Sequence, residues 1–330
     1  MSETNLRSLV APFAKPVPKR AVFQLVDTVV PFLALWALMV KSVDWGYGWT
    51  LLLALPTAGL YIRAFIIQHD CGHGSFFARR KADHAVGAFL GVLTLFPYGY
   101  WKKTHAIHHA TSGNLDHREF GDVTTLTVRE YQALPRLRKF GYRLYRSAWV
   151  LLFVGPVYQF AIKHRFPFDI PFAWKREWAS VLWNNLALAA VGTGLTTWLG
   201  WEKVLLVQLP IIVVAGAAGV WLFYVQHQFE EAYWERQEHW DPDRAAVQGS
   251  SFFDLPRWLH WFTGNIGYHH IHHLASKVPN YRLRECFESS PMLQHAPRLT
   301  LRESLRCARL KLWDEDARRL VGFPRARAAA

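Results

Sequence analysis

Cysteine and charged residues are both scarce in this chain of 330 residues, and each scarcity excludes a class of protein. The three cysteines, Cys71, Cys286 and Cys307, are too few and too scattered for a disulfide framework or a paired-cysteine metal site. Charged residues make up only 19% of the chain, whereas apolar residues make up 51% and aromatic residues 15%. This balance is more apolar than that of an ordinary soluble domain and indicates contact with membrane lipids.

Bases outnumber acids among the charges, with 38 Lys and Arg against 25 Asp and Glu. Such an excess fits either nucleic-acid binding or a cytoplasmic membrane surface, and the apolar runs favour the membrane, with no nucleic-acid partner. The first twenty residues carry four bases and three prolines but no small-residue cleavage pattern. They predict a cytoplasmic tail rather than a signal peptide.

Four stretches are long and apolar enough for a helix of about 20 residues to cross a bilayer. They are residues 21–40, 47–67, 179–199 and 204–225. Short connections at 41–46 and 200–203 pair them into two hairpins. The predicted fold is therefore a single all-α integral membrane domain over the whole chain, with four transmembrane helices and a cytoplasmic helical cap made of 68–178 and 226–330. The alternative, that these runs are core helices of a soluble protein, conflicts with their length.

Histidine is the unusual residue, because nine of its 16 copies fall into or beside tight clusters. HDCGH places two histidines four residues apart, on one face of a helix. HAIHH and HHIHH repeat the pattern His-x-x-His-His, in which the first and fourth residues share a helix face and the fifth is displaced by about 100°. One cluster can thus serve two neighbouring metals. With a further histidine at the end of the last span, the predicted ligands are His69, His73, His105, His108, His109, His227, His269, His272 and His273.

Nine ligands are too many for one ion, and shared between two ions they give four or five each. Imidazole nitrogen suits iron, zinc, copper and nickel alike. Structural zinc sites close at four ligands and usually include cysteine, which these clusters lack. Activation of O2 requires a metal pair that changes redox state. We therefore expect two iron ions, with O2 as co-substrate.

All histidine clusters must lie on one side of the membrane if they share a metal centre. The middle cluster lies between two shorter apolar stretches, 85–98 and 147–162, so both stretches cross the bilayer or neither does. Their marginal length predicts interfacial or re-entrant segments. Basic residues concentrate between the two hairpins, whereas the hairpin turns hold only Lys41 and Lys203. The positive-inside rule then places both termini and the metal centre in the cytoplasm.

Neutral nitrogen ligands leave an iron pair cationic, so nearby carboxylates are expected to accept the second N–H of the imidazoles. The candidates, which are equally consistent with exposed polar residues, are Asp70, Asp116, Glu230 and Glu231. Asn265 is placed to hold a metal-bound water. His270 does not fit the repeated spacing and is expected to support the ligands from behind.

At these residues the sequence resembles the membrane fatty acid desaturases, whose three histidine boxes match 69–73, 105–109 and 269–273. Two further segments are similar to those of bacterial acyl-lipid desaturases of the delta-5 and delta-12 (omega-6) kinds. They are LTLFPY at 93–98 and the sequence around the third box, at 261–283. The resemblance implies a multi-pass protein of the bacterial cell membrane, with two irons in a cytoplasmic cap over a bent acyl tunnel. It also implies that O2 and the irons remove two hydrogens from adjacent methylenes and leave a cis double bond.

The resemblance implies a fatty acyl chain as substrate, and favours one carried on a membrane glycerolipid over one carried on coenzyme A. The reaction needs two electrons from outside the chain. The sequence has neither a His-Pro-Gly-Gly haem motif nor the cysteine pattern of an iron–sulfur domain. A separate ferredoxin or flavodoxin is therefore expected as the donor, steered by its acidic charge to the basic cap.

Three other functions remain open at this point. A hydroxylase of lipids or alkanes with the same histidine boxes would insert oxygen instead of removing hydrogen. A membrane cytochrome would place its histidines within the spans, facing each other across a haem. A metal transporter would place its ligands near the bilayer midplane, whereas these clusters lie beyond the ends of the spans.

Overall fold

The computed structural model describes residues 6–118, 120–121 and 123–324. Its helices are α1 (Leu6–Val10), α2 (Pro18–Ser42), α3 (Tyr47–His73), α4 (Arg80–Leu93), α5 (Tyr98–Thr111), α6 (Val128–Ala133), α7 (Arg136–Tyr145), α8 (Gly155–Tyr158), α9 (Lys175–Leu199), α10 (Trp201–His227), α11 (Pro242–Gln248), α12 (Arg257–Phe262), α13 (His269–Leu274), α14 (Asn280–Glu288) and α15 (Leu301–Cys307). Its strands are β1 (Leu126–Thr127), β2 (Phe252–Asp254), β3 (Arg298–Thr300), β4 (Leu312–Asp314) and β5 (Arg319–Val321).

The structure is mostly helical, as the sequence predicts, and departs from the all-α prediction only by short strands in the described residues. Strand β2 pairs in parallel with β3. Strand β4 pairs in parallel with β1 and antiparallel with β5. These ladders are two or three residues long, so they fasten the C-terminal part of the cap to its earlier segments rather than form a sheet layer.

Among the described residues, three helices, α2, α3 and α10, are long and apolar enough to cross a membrane. They coincide with the first, second and fourth predicted spans. Helix α9 covers the third predicted span with 25 residues but is not among these three. Polar side chains explain part of the difference, because Asn184 and Asn185 on α9 accept hydrogen bonds from the Arg165 guanidinium at 2.9 and 2.7 Å.

The long helices pack against one another through apolar side chains. Helix α3 contacts both α2 and α10, and α10 also contacts α9. Their shared core contains Phe32 and Met39 from α2, Tyr61 from α3 and Ile211 from α10. Other large apolar side chains on these helices point outward and are exposed, among them Phe23. Burying such side chains needs an apolar environment outside the protein, which is what a bilayer supplies.

The largest buried apolar cluster lies in the cap, beyond the end of α10. It includes Trp234, Phe253, Ile271 and Leu283, and it reaches back to Val10 near the start of the described chain. Because Ile271 belongs to α13 and its side chain is fully buried, this core holds α13 in a fixed position. The third histidine cluster is therefore carried by the cap core and presented to the ends of the long helices.

A buried arginine ties the cap to the end of α10. The Arg146 guanidinium donates to the Gln228 side chain at 2.7 Å, to the Thr124 carbonyl at 3.0 Å and to the Thr125 hydroxyl at 3.1 Å. A buried charge is stable only when hydrogen bonds replace its water. Gln228 directly follows His227, so this network also positions the end of the helix that carries that histidine.

Candidate metal centre

Four helix segments bring the predicted histidines together. Helix α3 ends at His73, and Gly74 in the left-handed conformation (φ +64°) closes it. Helix α5 carries the second cluster, α10 ends at His227, and α13 begins at His269. The three boxes and the isolated histidine are far apart in the chain, so their meeting point is a product of the tertiary fold.

Five histidines form the first group, with one ring nitrogen from each lying within 4.8 Å of the others. They are His69, His73, His105, His109 and His272. The Nε2 atom of His109 is 3.1 Å from Nε2 of His105 and 3.0 Å from Nε2 of His272. Two nitrogens that each bind one ion at about 2.1 Å, at right angles, lie about 3.0 Å apart. The spacing therefore suits ligands that share an ion.

A second group lies beside the first and contains His108, His227 and His273, again within 4.8 Å. His269 extends it, because its Nε2 atom is 2.9 Å from Nε2 of His227 and its ring centroid is 4.6 Å from that of His273. The nine histidines thus divide five and four. The rings of His109 and His273 stack with centroids 4.2 Å apart, so the two groups adjoin.

The division within each cluster differs from the one expected from sequence. In the second cluster the first and fifth histidines, His105 and His109, enter one group while His108 enters the other. A step of four residues turns a helix by about 40° from alignment and a step of three by about 60°, so the fifth residue is the nearer neighbour. In the third cluster the two groups are exchanged. His272 joins the first group, while His269 and His273 belong to the second. Both His-x-x-His-His clusters nevertheless contribute to both groups, whereas His69 and His73 of the first cluster lie in the first group alone.

Burial favours the neutral form of several of these imidazoles. It lowers the pKa of His105, His109, His269, His272 and His273 well below the usual value, and neighbouring histidines lower it further. Neutral imidazole is the form that binds a metal. Within the described part of the chain, the buried Nε2 atoms of His73 and His273 have no hydrogen-bond partner. An unpaired buried nitrogen is costly unless it binds something, so the donor set fits metal ions.

Asp70 lies where the sequence predicts a supporting carboxylate. Its Oδ1 atom is 3.1 Å from Nδ1 of His69. Its Oδ2 atom accepts hydrogen bonds from the backbone N and the side-chain Nδ2 of Asn280, at 2.6 and 2.8 Å. Asn280 in turn accepts from Gln24 at 2.7 Å, so a buried chain of hydrogen bonds runs from α2 to His69.

The other predicted carboxylates make contacts elsewhere. Asp116 accepts from the Arg236 guanidinium at 2.8 Å and from the backbone N of Gln237 at 2.9 Å. Glu230 and Glu231 are exposed, and Glu230 lies 3.3 Å from Arg319. The expectation that these three carboxylates orient imidazoles is corrected accordingly: the chain turns away from the histidines after α5 and α10, and the carboxylates follow it to the surface.

Asn265 and His270 also serve the cap rather than contact the ligands. Asn265 has φ +57° and donates to the Asn280 carbonyl at 3.4 Å. The His270 ring faces away from the centre, with Nε2 2.9 Å from the Leu293 carbonyl and its ring against Phe287. Burial lowers the pKa of His270 to about 4. Its contribution to the centre is indirect, because it anchors the helix on which the third cluster lies.

Three contributors to the centre were missed from the sequence. Trp101 stacks on His105 with ring centroids 4.5 Å apart, and the four-residue spacing between them on α5 is a usable signal. Asn280 follows a proline and carries no such signal. Gly121 has φ +81°, and a Cβ atom there would lie 2.5 Å from Cβ of His108, so only glycine lets this loop cover that ligand.

Nine histidines that meet in two adjoining groups at the ends of long apolar helices are the arrangement of a histidine-box membrane oxidoreductase, and comparison with known proteins agrees. The family model for fatty acid desaturases matches residues 44–299, so the chain belongs to the fatty acid desaturase family. The family that the sequence predicts is confirmed, and with it an oxidoreductase activity.

Individual relatives point the same way. A fatty acid desaturase of Bacillus subtilis (strain 168) is 47% identical over 321 residues, which is 97% of this chain and 91% of that protein. An sn-1 acyl-lipid omega-3 desaturase (ferredoxin) of Synechocystis is 30% identical over 70% of this chain and 64% of that protein. An sn-1 oleoyl-lipid 12-desaturase of Anabaena variabilis is 25% identical over 76% of this chain and 74% of that protein.

Proposed function

We propose that this desaturase introduces a cis double bond into a fatty acyl chain carried on a membrane glycerolipid, using O2, two external electrons and a di-iron centre. The observation that carries the proposal is the division of nine imidazoles, each buried or partly buried, into adjoining groups of five and four. Imidazole nitrogen suits iron among other metals, and iron can change redox state with O2. The printed names of two relatives, which are acyl-lipid desaturases, support the lipid-linked substrate.

The residues around the centre have distinct roles in this proposal. When bound, the iron pair would supply, with O2, the oxidising power needed to remove hydrogen from an unactivated methylene. Asp70 would hold His69 in one orientation and tautomer by accepting from Nδ1. Trp101 would keep the His105 ring from turning and exclude water from that side of the centre. Burial lowers the pKa of His105, which favours the neutral form that a metal binds.

The proposal includes a topology of four transmembrane helices, with α9 as the third span. Helix α9 exposes Leu186, Trp183 and Trp198, which a soluble surface would not favour. A single residue, Gly200 (φ +82°), separates α9 from α10, and four residues separate α2 from α3. With both hairpin turns on the outer side, the basic segments, the termini and the centre lie in the cytoplasm of a bacterial cell.

The electron donor in this proposal is a separate ferredoxin or flavodoxin. The described residues hold three free cysteines, all buried, and none of them belongs to the histidine groups. One relative is named as a ferredoxin-dependent enzyme, which supports this class of donor.

The test is expression in a bacterium that makes no polyunsaturated fatty acids, with acyl chains identified by gas chromatography and mass spectrometry. His108→Ala and the control His239→Ala would be compared with the unchanged protein, because His239 is exposed on the cap. We expect a new double bond in membrane lipids from the unchanged protein and the control, and none from His108→Ala. A product that gains one oxygen would instead indicate a hydroxylase, and iron content below two ions per chain would contradict the di-iron centre.

A further inference from the structure

A cleft of about 200 Å³ opens beside the metal centre. His73, a member of the first histidine group, lines it together with Gly74. Lys277 also lines the cleft, and its Nζ atom donates a hydrogen bond to the His73 carbonyl. The cleft therefore connects the protein surface directly with a residue of the centre.

Five cations surround this cleft and form what we call the basic rim. Its members are Arg79, Arg80, Lys81, Lys102 and Lys277. Arg80, Lys102 and Lys277 line the cleft itself, while Arg79 and Lys81 flank Arg80 at the exposed start of α4. Within the described part of the chain, the one carboxylate in the lining is Asp83, which is only 2% exposed.

The rim cations lack carboxylate partners among the residues that the structure describes. Elsewhere on the cap, arginines are commonly neutralised: Arg236 pairs with Asp116 and Glu315, and Arg318 pairs with Glu235. In the rim, neighbouring positive charges repel one another instead. After desolvation, the neighbouring charges of Lys277 and Arg80 lower the pKa of Lys102. One buried carboxylate, Asp83, offsets part of the charge of Lys102 and Lys277, so the five cations leave the rim with an excess of positive charge.

Some of the candidate ligands are closed off from the surface, whereas His73, His105, His109 and His273 are partly exposed. His108 and His272 are fully buried, and His227 and His269 are nearly so. A donor protein that approached from the side of α10 or α13 would be separated from the ligands by the cap core. The cleft at His73 is a place where a partner on the surface comes close to the ligands without displacing that core.

We propose that the basic rim is the docking surface for an acidic protein that carries one electron at a time, such as a small ferredoxin. The inference rests on the proposed function and adds the location of the partner. Each docked donor gives up one electron and leaves oxidised, so two docking events supply two electrons. These electrons, two protons from water and the two hydrogens removed from the acyl chain reduce one O2 to two waters.

Electrostatic physics specifies what such a surface does. Complementary potentials steer an acidic protein to the rim and raise its rate of association, and salt screens the attraction over about 8–10 Å. A charge at the edge of an interface mainly changes this rate and its salt dependence. Clustered charges next to the centre therefore favour a brief, salt-sensitive complex, which suits a carrier that must leave after each electron.

The test uses the full chain in lipid nanodiscs and an acidic [2Fe–2S] ferredoxin as the probe. The rim variant is Arg79→Glu, Arg80→Glu and Lys81→Glu, which places acids at the start of α4, where the helix dipole favours them. The matched control is Arg302→Glu, Arg306→Glu and Arg309→Glu on and after α15. Those three arginines are exposed and do not line the cleft, and the change in net charge is the same.

We expect the dissociation constant for ferredoxin to rise by about tenfold or more in the rim variant and by less than about twofold in the control. Equal weakening in both variants would mean that only the overall charge matters and would overturn the proposal. Unchanged binding in the rim variant, or no binding to the unchanged protein, would overturn it as well. Binding is measured without turnover, so an inactive protein that still binds ferredoxin at the rim would refute the desaturase function and leave the docking surface standing.

Discussion

Replacing Asp70 by Asn tests how the fold supports the metal centre. The carboxylate lies 3.1 Å from Nδ1 of His69 and accepts two hydrogen bonds from Asn280. An amide has one oxygen in place of two, so either His69 or Asn280 would face an NH2 group. Asp70 is 1% exposed, and water cannot replace the lost acceptor.

The magnitude follows from the loss of that acceptor. Removing a partner that orients a metal-bound histidine typically lowers metal affinity by about 10- to 100-fold, which is about 1.4 to 2.7 kcal/mol. We expect Asp70→Asn to bind iron about 10- to 100-fold more weakly than the unchanged protein. The affinity is measured by competition with a chelator on purified protein. The decisive control is Asp116→Asn, because Asp116 pairs with Arg236 at the surface and should leave the affinity unchanged. Equal affinities in the two variants would refute the assigned role of Asp70.

Three further variants test other parts of the structure. Gly121→Ala should lower iron content, measured by mass spectrometry of metals, because its Cβ would lie 2.5 Å from Cβ of His108. Arg146→Lys should lower the free energy of unfolding by about 2 kcal/mol, seen as a lower melting temperature, because an ammonium cannot replace the guanidinium contact with Gln228 and its neighbours. An unchanged melting temperature would refute this role of Arg146. Burial raises the pKa of Asp83 from 3.8 to about 6, so its stabilising contribution is full below about 3.8 and lost as pH rises through about 6. Asp83→Asn should therefore melt with a flatter dependence on pH in this range, and an unchanged slope would contradict the assignment.

Much of the centre could be predicted because its ligands are encoded locally. The spacings HDCGH, HAIHH and HHIHH place imidazoles on neighbouring turns of helix, and helical geometry is the same wherever a helix sits. The apolar runs likewise predict the long helices, and three of the four are apolar enough to cross a membrane. Helix α9 forms where predicted, yet its asparagines serve Arg165, a contact that hydropathy does not reveal.

Which carboxylate supports the centre could not be predicted. Asp70 and Asp116 each stand close to a histidine cluster in the chain and have the same side chain. Asp70 faces inward because it lies within α3, which extends to His73. Its carboxylate there accepts a hydrogen bond from Asn280, which is 210 residues away in the chain. Asp116 lies beyond the end of α5, where the chain turns to Arg236.

The sequence by itself determined the candidate ligands, the long helices and the family, because these depend on spacings of a few residues and on apolar runs. Only the tertiary structure decided how the nine histidines divide into groups of five and four, which side chains support them, and that His73 borders a surface cleft. Those features depend on contacts between segments that are distant in the chain, and the packing of the whole cap core against the helix ends sets them.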